Sequence, residues 1–340
     1  MAKVVTFGEI MLRLSPEGYL RFGQTDRYSA TFGGAESNVA VSLANYGIDA
    51  DFVSKLPKNP IADSCVRELK KYSVGTDNII RGGDRVGIYY LEKGASQRAS
   101  QVVYDRAYSA ISQSSPDEYD WKKILSGANW FHFTGITPAL SDNMSKACIE
   151  ACKEAKRQGL TVSCDLNYRK KLWSKEEANR VMSNLAEYID ICIANEEDAA
   201  DVFGITSKDT DPISGKLNHS GYRVVAEKLC LEYGFKKTAI TLRTSVDASV
   251  NKWAAMLYDN GEAYYSRTYT MHIVDRVGGG DSFGAGLIYS LINEMSPQEA
   301  IEFAAAASCL KHSVEGDFNL VTADEVKKLA SGDGSGRVSR

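Results

Sequence analysis

Apolar and polar positions follow two patterns along this chain, and the two patterns take turns in a regular order. Short runs rich in β-branched residues, such as KVVTFGE near the N-terminus and ADFVSKL from residue 50, are typical of strands. Longer segments with apolar residues three and four positions apart, such as AESNVAVSLANYG, are typical of amphipathic helices. Strands separated by helices predict right-handed βαβ units and a mostly parallel sheet.

The same order continues through the rest of the chain. Strand patterns occur in ANWFHFTG, LTVSCDLN, DICIAN and KKTAITLR, and helix patterns occur at about 142–158 and 175–188. Near the C-terminus, KWAAMLYDNGEAYYSR predicts a β-hairpin, because Asn260-Gly261 supplies the residues that a tight two-residue turn needs. These patterns place the chain in the α/β class.

Two stretches, 12–32 and 84–108, depart from this order. They alternate, carry turn residues and are rich in Tyr and Arg, without the continuous apolar character of strands buried on both faces. We expect antiparallel strands outside the main sheet, forming a lid over a site or an interface. Residues 1–330 are predicted to form one domain with these lid strands inserted, and residues 331–340, SGDGSGRVSR, are predicted to form a flexible tail.

Composition and charge narrow the class of protein. The net charge of −4 over 340 residues leaves no basic footprint, which argues against a nucleic-acid partner. No apolar run approaches the roughly 18 residues that cross a bilayer, and the N-terminus lacks the apolar stretch of a signal peptide. The seven cysteines are an odd number without a CxxC pair, so we expect reduced thiols and a cytoplasmic location.

The densest cluster of glycines lies in RVGGGDSFGAG, from Arg276 to Gly286. Glycine costs backbone entropy, so such a run indicates a tight bend or a close approach to another group. The residues that follow are apolar at helical spacing, which places the glycines at the start of a helix. The free N–H groups of a helix start form an anion site.

Several interpretations of this run compete. A dinucleotide-binding fingerprint is excluded because Phe283 stands where its third glycine would be, and a phosphate-binding P-loop is excluded because no Lys-Ser or Lys-Thr follows. GDSFG fits the G-x-S-x-G pattern of hydrolases, with Ser282 as nucleophile, but only His312 remains downstream to activate it. Alternatively, the glycines let a helix pack closely on a strand, and Asp281 complements the helix dipole.

Phosphoryl transfer accounts for more of the pattern. The amides of Gly278, Gly279 and Gly280 would stabilise negative charge on the migrating phosphoryl group. Asp281 would accept the proton of the attacking hydroxyl as general base. This interpretation uses both the bare amides and the carboxylate beside them.

The motifs match a known family. DRVGGGDSFGAG resembles the C-terminal signature of the ribokinase-like (PfkB-type) carbohydrate kinases, and FGGAESNVAVSLANYG resembles their N-terminal Gly-Gly motif. The stretches GGAESN, VVYDRAYSA, CDLNYRKKLW and ANEEDA are similar to the branch that acts on 2-keto-3-deoxygluconate. The resemblance implies a three-layer α/β/α domain with a small β-sheet lid. It also implies transfer from ATP, with Mg²⁺, to the 6-hydroxyl of that sugar acid, and the family leaves room for a monovalent cation.

The resemblance further implies roles for individual residues, with Asp281 as the base and Gly278 to Gly280 as the anion hole. The residues implied to contact the sugar acid are Gly34, Asn38, Tyr90, Tyr104, Arg106, Arg169, Asp281 and Asp317. Those implied to contact the nucleotide are Asn167, Arg169, Asn195, Thr241, Thr244, Gly278 and Gly280. Mg²⁺ is implied to bind through water near Asn195 and Asp198.

Physical chemistry agrees with part of this assignment. A sugar acid presents a carboxylate, which arginine matches with a planar fork of donors, so Arg106 and Arg169 favour an acid over fructose or ribose. Arg169 follows a buried strand, which places it at the carboxyl ends of the parallel strands, where open α/β sheets bind ligands. Simpler roles remain open: a surface position for Arg106, helix capping for Asn195, turn formation for Asp317, and packing for the two tyrosines.

The chain also departs from the family pattern. Asp275-Arg276 replaces the usual Asp-Thr, Gly279 replaces an alanine, Asp198 replaces a glutamate, and RTSVDASVNKW replaces a loop rich in lysine and glycine. These changes leave the phosphoryl donor open. The alternatives are a kinase for fructose, a nucleoside or 2-keto-3-deoxygalactonate, or a non-catalytic sugar-binding protein. Because bare strands tend to pair, we expect a homo-oligomer formed through the lid, without membrane or nucleic-acid partners.

Overall fold

The computed structural model describes residues 2–195, 197–206 and 219–334. Its strands are β1 (Lys3–Phe7), β2 (Met11–Ser15), β3 (Ser29–Gly33), β4 (Asp49–Leu56), β5 (Ile79–Arg81), β6 (Ile88–Glu92), β7 (Gln101–Asp105), β8 (Trp130–Thr134), β9 (Thr161–Asp165), β10 (Ile191–Asn195), β11 (Lys237–Ser245), β12 (Val250–Asp259), β13 (Glu262–Tyr265) and β14 (Tyr269–His272). Its α-helices are α1 (Ala35–Asn45), α2 (Pro60–Lys71), α3 (Trp121–Ile124), α4 (Asp142–Arg157), α5 (Lys175–Ala186), α6 (Asp198–Phe203), α7 (His219–Tyr233), α8 (Gly279–Ile292), α9 (Pro297–Lys311) and α10 (Ala323–Ala330).

The main sheet is mostly parallel. Strands β5, β4, β1, β8, β9, β10 and β11 lie side by side in that order and run in the same direction. β12 joins this series antiparallel to β11, and β13 and β14 both pair with β12. The predicted α/β class and parallel sheet are therefore confirmed.

Helices cover both faces of this sheet. Along β8, successive side chains enter opposite cores: Trp130 packs with α1, α2, α8, α9 and α10, whereas Phe131 packs with α4, α5 and α7. All five residues of β8 are buried, as expected for a strand covered on both sides. The result is the three-layer α/β/α arrangement that the family resemblance implies.

The C-terminal hairpin forms where the sequence predicts it, between β12 and β13. Asn260 and Gly261 have φ values of 49° and 85°, and a type I′ turn requires positive φ at both central positions. This hairpin extends one edge of the main sheet.

The stretches 12–32 and 84–108 supply most of a separate four-stranded sheet, in the order β3-β2-β6-β7. Two of its pairs are antiparallel, but β2 and β6 pair in parallel, which corrects the expectation of antiparallel strands throughout. The parallel pairing follows from how the chain enters the lid sheet. β2 follows β1 and β6 follows β5, and the carboxyl ends of β1 and β5 lie at the same edge of the main sheet. We call this four-stranded unit the lid sheet.

Three further expectations concern the cysteines, the absence of membrane-spanning helices and the domain boundaries. All seven cysteines are free thiols, and five of them are buried. Within the described part of the chain, no helix combines the length and apolar character that a membrane crossing requires. The single domain over 1–330 stays a prediction, and most of the predicted tail, residues 335–340, lies outside the described residues.

Candidate active site

A cleft of about 1380 Å³ lies between the lid sheet and the carboxyl ends of the parallel strands. Most of the residues implied by the family resemblance line it: Gly34, Asn38, Tyr104, Arg106, Asn167, Arg169, Asn195, Asp198, Thr241, Gly278, Gly279, Gly280, Asp281 and Asp317. Tyr90 and Thr244 do not line it. The roles of the lining residues stay predictions, although their places are now defined.

The Gly-Gly pair before α1 lets three chain segments meet at the cleft. A side chain at Gly33 would place its Cβ 2.0 Å from a carboxylate oxygen of Asp317, and one at Gly34 would lie 1.9 Å from the carbonyl oxygen of Glu9. Neither contact is sterically allowed. The motif is therefore required for the backbone of β3 and α1 to approach Glu9 and Asp317.

The three glycines at the start of α8 differ in their surroundings. Gly278 has φ of 83°, and a Cβ there would meet the Asp317 carbonyl at 2.1 Å, while a Cβ at Gly279 would strike the His312 ring at 2.3 Å. At Gly280 a Cβ would meet nothing within 4 Å, and this residue is exposed. Packing explains the first two glycines, but the third leaves space at the cleft.

The amides at this helix start have few acceptors. The Gly279 N–H makes only a long contact of 3.4 Å with the Arg276 carbonyl. Among the described residues, no group accepts a hydrogen bond from the amides of Gly278, Gly280 or Asp281. Unpaired N–H groups at the start of a 14-residue helix form a site for a phosphate or another anion.

Asp281 lies half-buried in the first turn of α8. The side-chain Nδ2 of Asn38 donates to Asp281 Oδ2 at 2.6 Å, and the side-chain Oδ1 of Asn38 accepts a hydrogen bond from the Gly34 N–H at 3.3 Å. Burial raises the pKa of Asp281 to about 6, and the negative charge of Asp317 acts in the same direction. The carboxylate is thus oriented, ionised at neutral pH, and basic enough to accept a proton.

On the far side of the cleft, Asp317 is held by two buried side chains. The Arg13 guanidinium donates to Asp317 at 2.8 Å and to Asp275 at 2.5 Å, and the Tyr89 hydroxyl donates to Asp317 at 2.6 Å. Burial raises the pKa of Asp317 even though Arg13 opposes the shift. Asp317 is therefore part of a buried network that joins the lid sheet to the loop before α8, and is more than a turn residue.

Of the two adjacent tyrosines in β6, Tyr89 lines the cleft and Tyr90 does not. Side chains alternate along a strand, so only one of two adjacent tyrosines in β6 can face the cleft. Tyr89 is buried there, whereas the Tyr90 ring packs on Tyr28 with centroids 6.5 Å apart. Tyr90 therefore lies on the other face of β6 in this structure, and its implied contact with the sugar acid stays a prediction.

Arg106 has a partner that the sequence did not indicate. Its Nε donates to Glu9 Oε2 at 2.8 Å and its Nη2 donates to the same oxygen, while the buried Oε1 of Glu9 has no partner among the described residues. The Arg106 guanidinium also lies 5.5 Å from the centre of the Tyr104 ring. Part of its charge is therefore neutralised within the protein, and Arg106 is not a simple surface arginine.

The loop after β9 brings further cations to the cleft. Asn167, at the start of this loop, has a φ of 40°, which is uncommon for a residue other than glycine. Arg169, Lys170 and Lys171 follow and are exposed at the cleft, and the Lys171 ammonium lies 6.0 Å from the centre of the Tyr104 ring. This contact connects the loop to the lid sheet across the cleft mouth.

Asn195 and Asp198 cap each other at the end of β10. The Asn195 side-chain oxygen accepts the N–H groups of Glu197 and Asp198, and the Asp198 carboxylate accepts those of Asn195 and Tyr168. Burial raises the pKa of Asp198 to about 6. Asn195 is therefore a helix cap that also lines the cleft.

Asp165, which the sequence analysis did not select, completes a group of three carboxylates with Asp198 and Asp281. Burial, followed by the charges of the other two, raises the pKa of Asp165 well above its usual value. No described group of three or more His, Cys, Asp or Glu side chains forms a ready metal cage. The oxygen-only chemistry fits Mg²⁺, which keeps several waters and shares its ligands with substrate phosphates.

Strand alternation also separates the two threonines of β11. Thr241 and Arg243 line the cleft, whereas Thr244 does not, and its implied nucleotide contact stays a prediction. The hydrolase interpretation of Ser282 fails, because this residue is buried and its hydroxyl has no partner within the described part of the chain. The His312 ring is occupied elsewhere, with its Nδ1 bonded to the Ser308 carbonyl at 2.7 Å.

Comparison with known proteins gives a consistent result. A family model described as pfkB family carbohydrate kinase matches residues 1–322. A 2-dehydro-3-deoxygalactonokinase of Haloferax volcanii is 33% identical over 337 residues, covering 98% of each chain. A crystal structure of 2-dehydro-3-deoxygluconokinase from Thermotoga maritima is 53% identical, with a TM-score of 0.95, and the match covers 98% of this chain and 100% of that one.

More distant structures share the fold. A candidate ribokinase II of E. coli, solved in complex with ATP and Mg²⁺, has a TM-score of 0.81 at 20% identity over 97% of this chain and 99% of that one. At this identity the likeness concerns the fold alone.

Proposed function

This chain belongs to the pfkB family of carbohydrate kinases, and on that premise we propose that it transfers the γ-phosphoryl group of ATP to the 6-hydroxyl of 2-keto-3-deoxygluconate. The observation that carries the proposal is the position of Asp281. Its carboxylate lies at the cleft, oriented by Asn38 and beside amides that lack acceptors. A base next to an anion site is the pair of groups that phosphoryl transfer to an alcohol needs.

In this mechanism the 6-hydroxyl gives its proton to Asp281 as its oxygen attacks the γ-phosphorus. The new O–P bond forms as the bond between the γ-phosphorus and the bridging oxygen of the β-phosphate breaks, and ADP leaves. The amides of Gly278, Gly280 and Asp281 stabilise charge on the migrating group. Mg²⁺, held through water near Asp165 and Asp198, would neutralise the phosphate oxygens.

The acidic acceptor is supported by the cations of the cleft. Arg169 forms no salt bridge among the described residues, although its charge lowers the pKa of Asp165, Asp198 and Asp281. Its one side-chain hydrogen bond in this part of the chain is a 3.0 Å bond to the Tyr168 carbonyl. A planar guanidinium that keeps free donors suits the carboxylate of a sugar acid. Arg106, already bonded to Glu9, is the weaker candidate for that contact.

The galacto epimer of the acid is the second candidate acceptor, because the Haloferax volcanii relative carries that name. The gluco epimer is preferred because a protein named for it, from Thermotoga maritima, is 53% identical, against 33% for the Haloferax volcanii relative.

The test is ADP release with 2-keto-3-deoxygluconate, 2-keto-3-deoxygalactonate, fructose and ribose. We expect kcat/KM to be highest for the gluco acid and at least tenfold lower for the neutral sugars. Equal rates with fructose would contradict the carboxylate contact. If no sugar released ADP but the acid still raised the melting temperature, the chain would be a sugar-binding protein.

A further inference from the structure

Two arginines without an acidic partner lie beside the glycine amides. Arg243 is on β11 and Arg276 is in the loop before α8, and both line the cleft. Within the described residues neither forms a salt bridge, although other cations at this cleft do, such as Arg106 with Glu9 and Lys175 with Asp201. Arg276 stands only two positions before Gly278, where the anion site begins.

Arg276 is poorly satisfied by the protein. Its Nε is buried without a hydrogen-bond partner among the described residues, and its Nη2 makes a contact of 3.5 Å with the Ala248 carbonyl. Burial, followed by the like charge of Arg243, lowers the pKa of Arg276. A half-buried guanidinium with too few hydrogen-bond acceptors destabilises the ligand-free protein, and binding of a negatively charged group beside it removes this destabilisation.

Two more unpaired polar atoms belong to the same corner of the cleft. Trp253 is paired directly with Arg243 in the β11–β12 ladder, and Asn251 is the next residue on the same face of β12. The Trp253 Nε1 and the Asn251 Oδ1 are both buried without partners in the described part of the chain. We call the four residues Arg243, Asn251, Trp253 and Arg276 the arginine corner.

We propose that the arginine corner binds the phosphate chain of the donor nucleotide, with Arg276 on the β-phosphate and Arg243 on the α-phosphate. This inference rests on the proposed kinase function. We assign this order from position: the amides of Gly278 and Gly280 would hold the γ-phosphate, and Arg276 stands two residues before Gly278 in the same loop. Arg243 comes from a separate element, β11. Guanidinium groups match phosphate oxygens with paired donors.

The remaining polar atoms fit the same ligand. The Trp253 N–H is a donor for a phosphate or ribose oxygen, and the Asn251 Oδ1 is an acceptor for a ribose hydroxyl.

The test compares binding of ADP and AMP, measured by calorimetry without any sugar, in Arg276→Ala, Arg276→Lys, Arg243→Ala and the control Arg267→Ala. We expect Arg276→Ala to weaken ADP about 10- to 100-fold with little effect on AMP, and Arg276→Lys to restore part of the loss. Arg243→Ala should weaken ADP and AMP alike. Arg267 pairs with Glu302 outside the cleft, so its loss should change neither affinity.

A second readout separates binding from folding. Because neither arginine has an acidic partner, each alanine variant should melt without ligand at or above the temperature of the wild type, and the KM for the sugar acid should stay unchanged. Unchanged ADP affinity in both alanine variants would overturn the inference, even if the enzyme phosphorylates the acid as proposed. Weakened ADP binding in a protein that phosphorylates no sugar would support the inference and refute the proposed function.

Discussion

The raised pKa of Asp281 predicts a defined pH dependence. With a pKa of about 6, the carboxylate is ionised in about nine tenths of molecules at pH 7 and in about one tenth at pH 5. If Asp281 is the general base, kcat/KM should fall about tenfold between these pH values. Asp281→Asn keeps the size of the side chain but removes the base, so kcat should fall about 10²- to 10⁴-fold and the acid limb should disappear.

The assay is ADP release from pH 5 to pH 8 at saturating ATP, with Asp142→Asn as the matched control. Asp142 is also an aspartate in the first turn of a helix, but it is exposed and does not line the cleft. Its replacement should leave both rate and pH profile unchanged. A catalytic role for Asp281 is refuted if its asparagine variant keeps more than a tenth of the wild-type kcat.

The stability of the folded protein gives an independent check on Asp281, because it should depend on pH in the direction opposite to activity. The pKa of Asp281 is higher in the folded protein than the usual 3.8, so the stability linked to this group is fully present below that value. It is lost as the pH rises through about 6. At pH 7 the asparagine variant avoids this loss, so its melting temperature should equal or exceed that of the wild type. A clear fall would indicate a structural role instead.

Three further predictions concern other parts of the site. Arg106→Ala should raise the KM for the sugar acid about 10- to 100-fold. It should also lower the melting temperature because buried Glu9 is left unpaired, and adding Glu9→Gln should restore the melting temperature but not KM. An unchanged KM would show that Arg106 does not contact the sugar acid. Gly280→Ala should fold normally yet lose at least 90% of activity, because its Cβ occupies only space in the cleft. Gly279→Ala should in addition have a lower melting temperature, because its Cβ would clash with the His312 ring. Full activity of the Gly280→Ala variant would indicate that the phosphate binds elsewhere. We also propose that the lid sheet mediates a homo-oligomer, since Val103 on β7 is 50% exposed; light scattering should report a dimer or larger species that Val103→Lys disperses, and a monomeric wild type would contradict this.

Local patterns predicted much of the fold. The parallel strands, the start of α8 at its glycines and the turn at Asn260-Gly261 each depend on residues close together in sequence, where period and turn chemistry are visible. The three-residue β5 is too short to show a period. The parallel pairing of β2 and β6 depends on how two distant segments leave the main sheet.

The site was predicted less completely, for two physical reasons. Adjacent residues of a strand lie on opposite faces, so the sequence alone did not show that Tyr89 and Arg243 line the cleft while the neighbouring Tyr90 and Thr244 do not. Partners distant in sequence leave no local signal either. The bond from Arg106 to Glu9 spans 97 residues, so the partial neutralisation of that arginine was not predictable.

The contact between Arg13 and Asp317 joins residues 304 positions apart, and both side chains are buried. During synthesis, the strand that carries Arg13 leaves the ribosome long before its acidic partners exist. A nascent chain that stops short of residue 317 leaves buried Arg13 with Asp275 but without its second carboxylate. The complete wall of the cleft therefore forms only after the segment that carries Asp317 has been synthesised and has packed against the strand that carries Arg13.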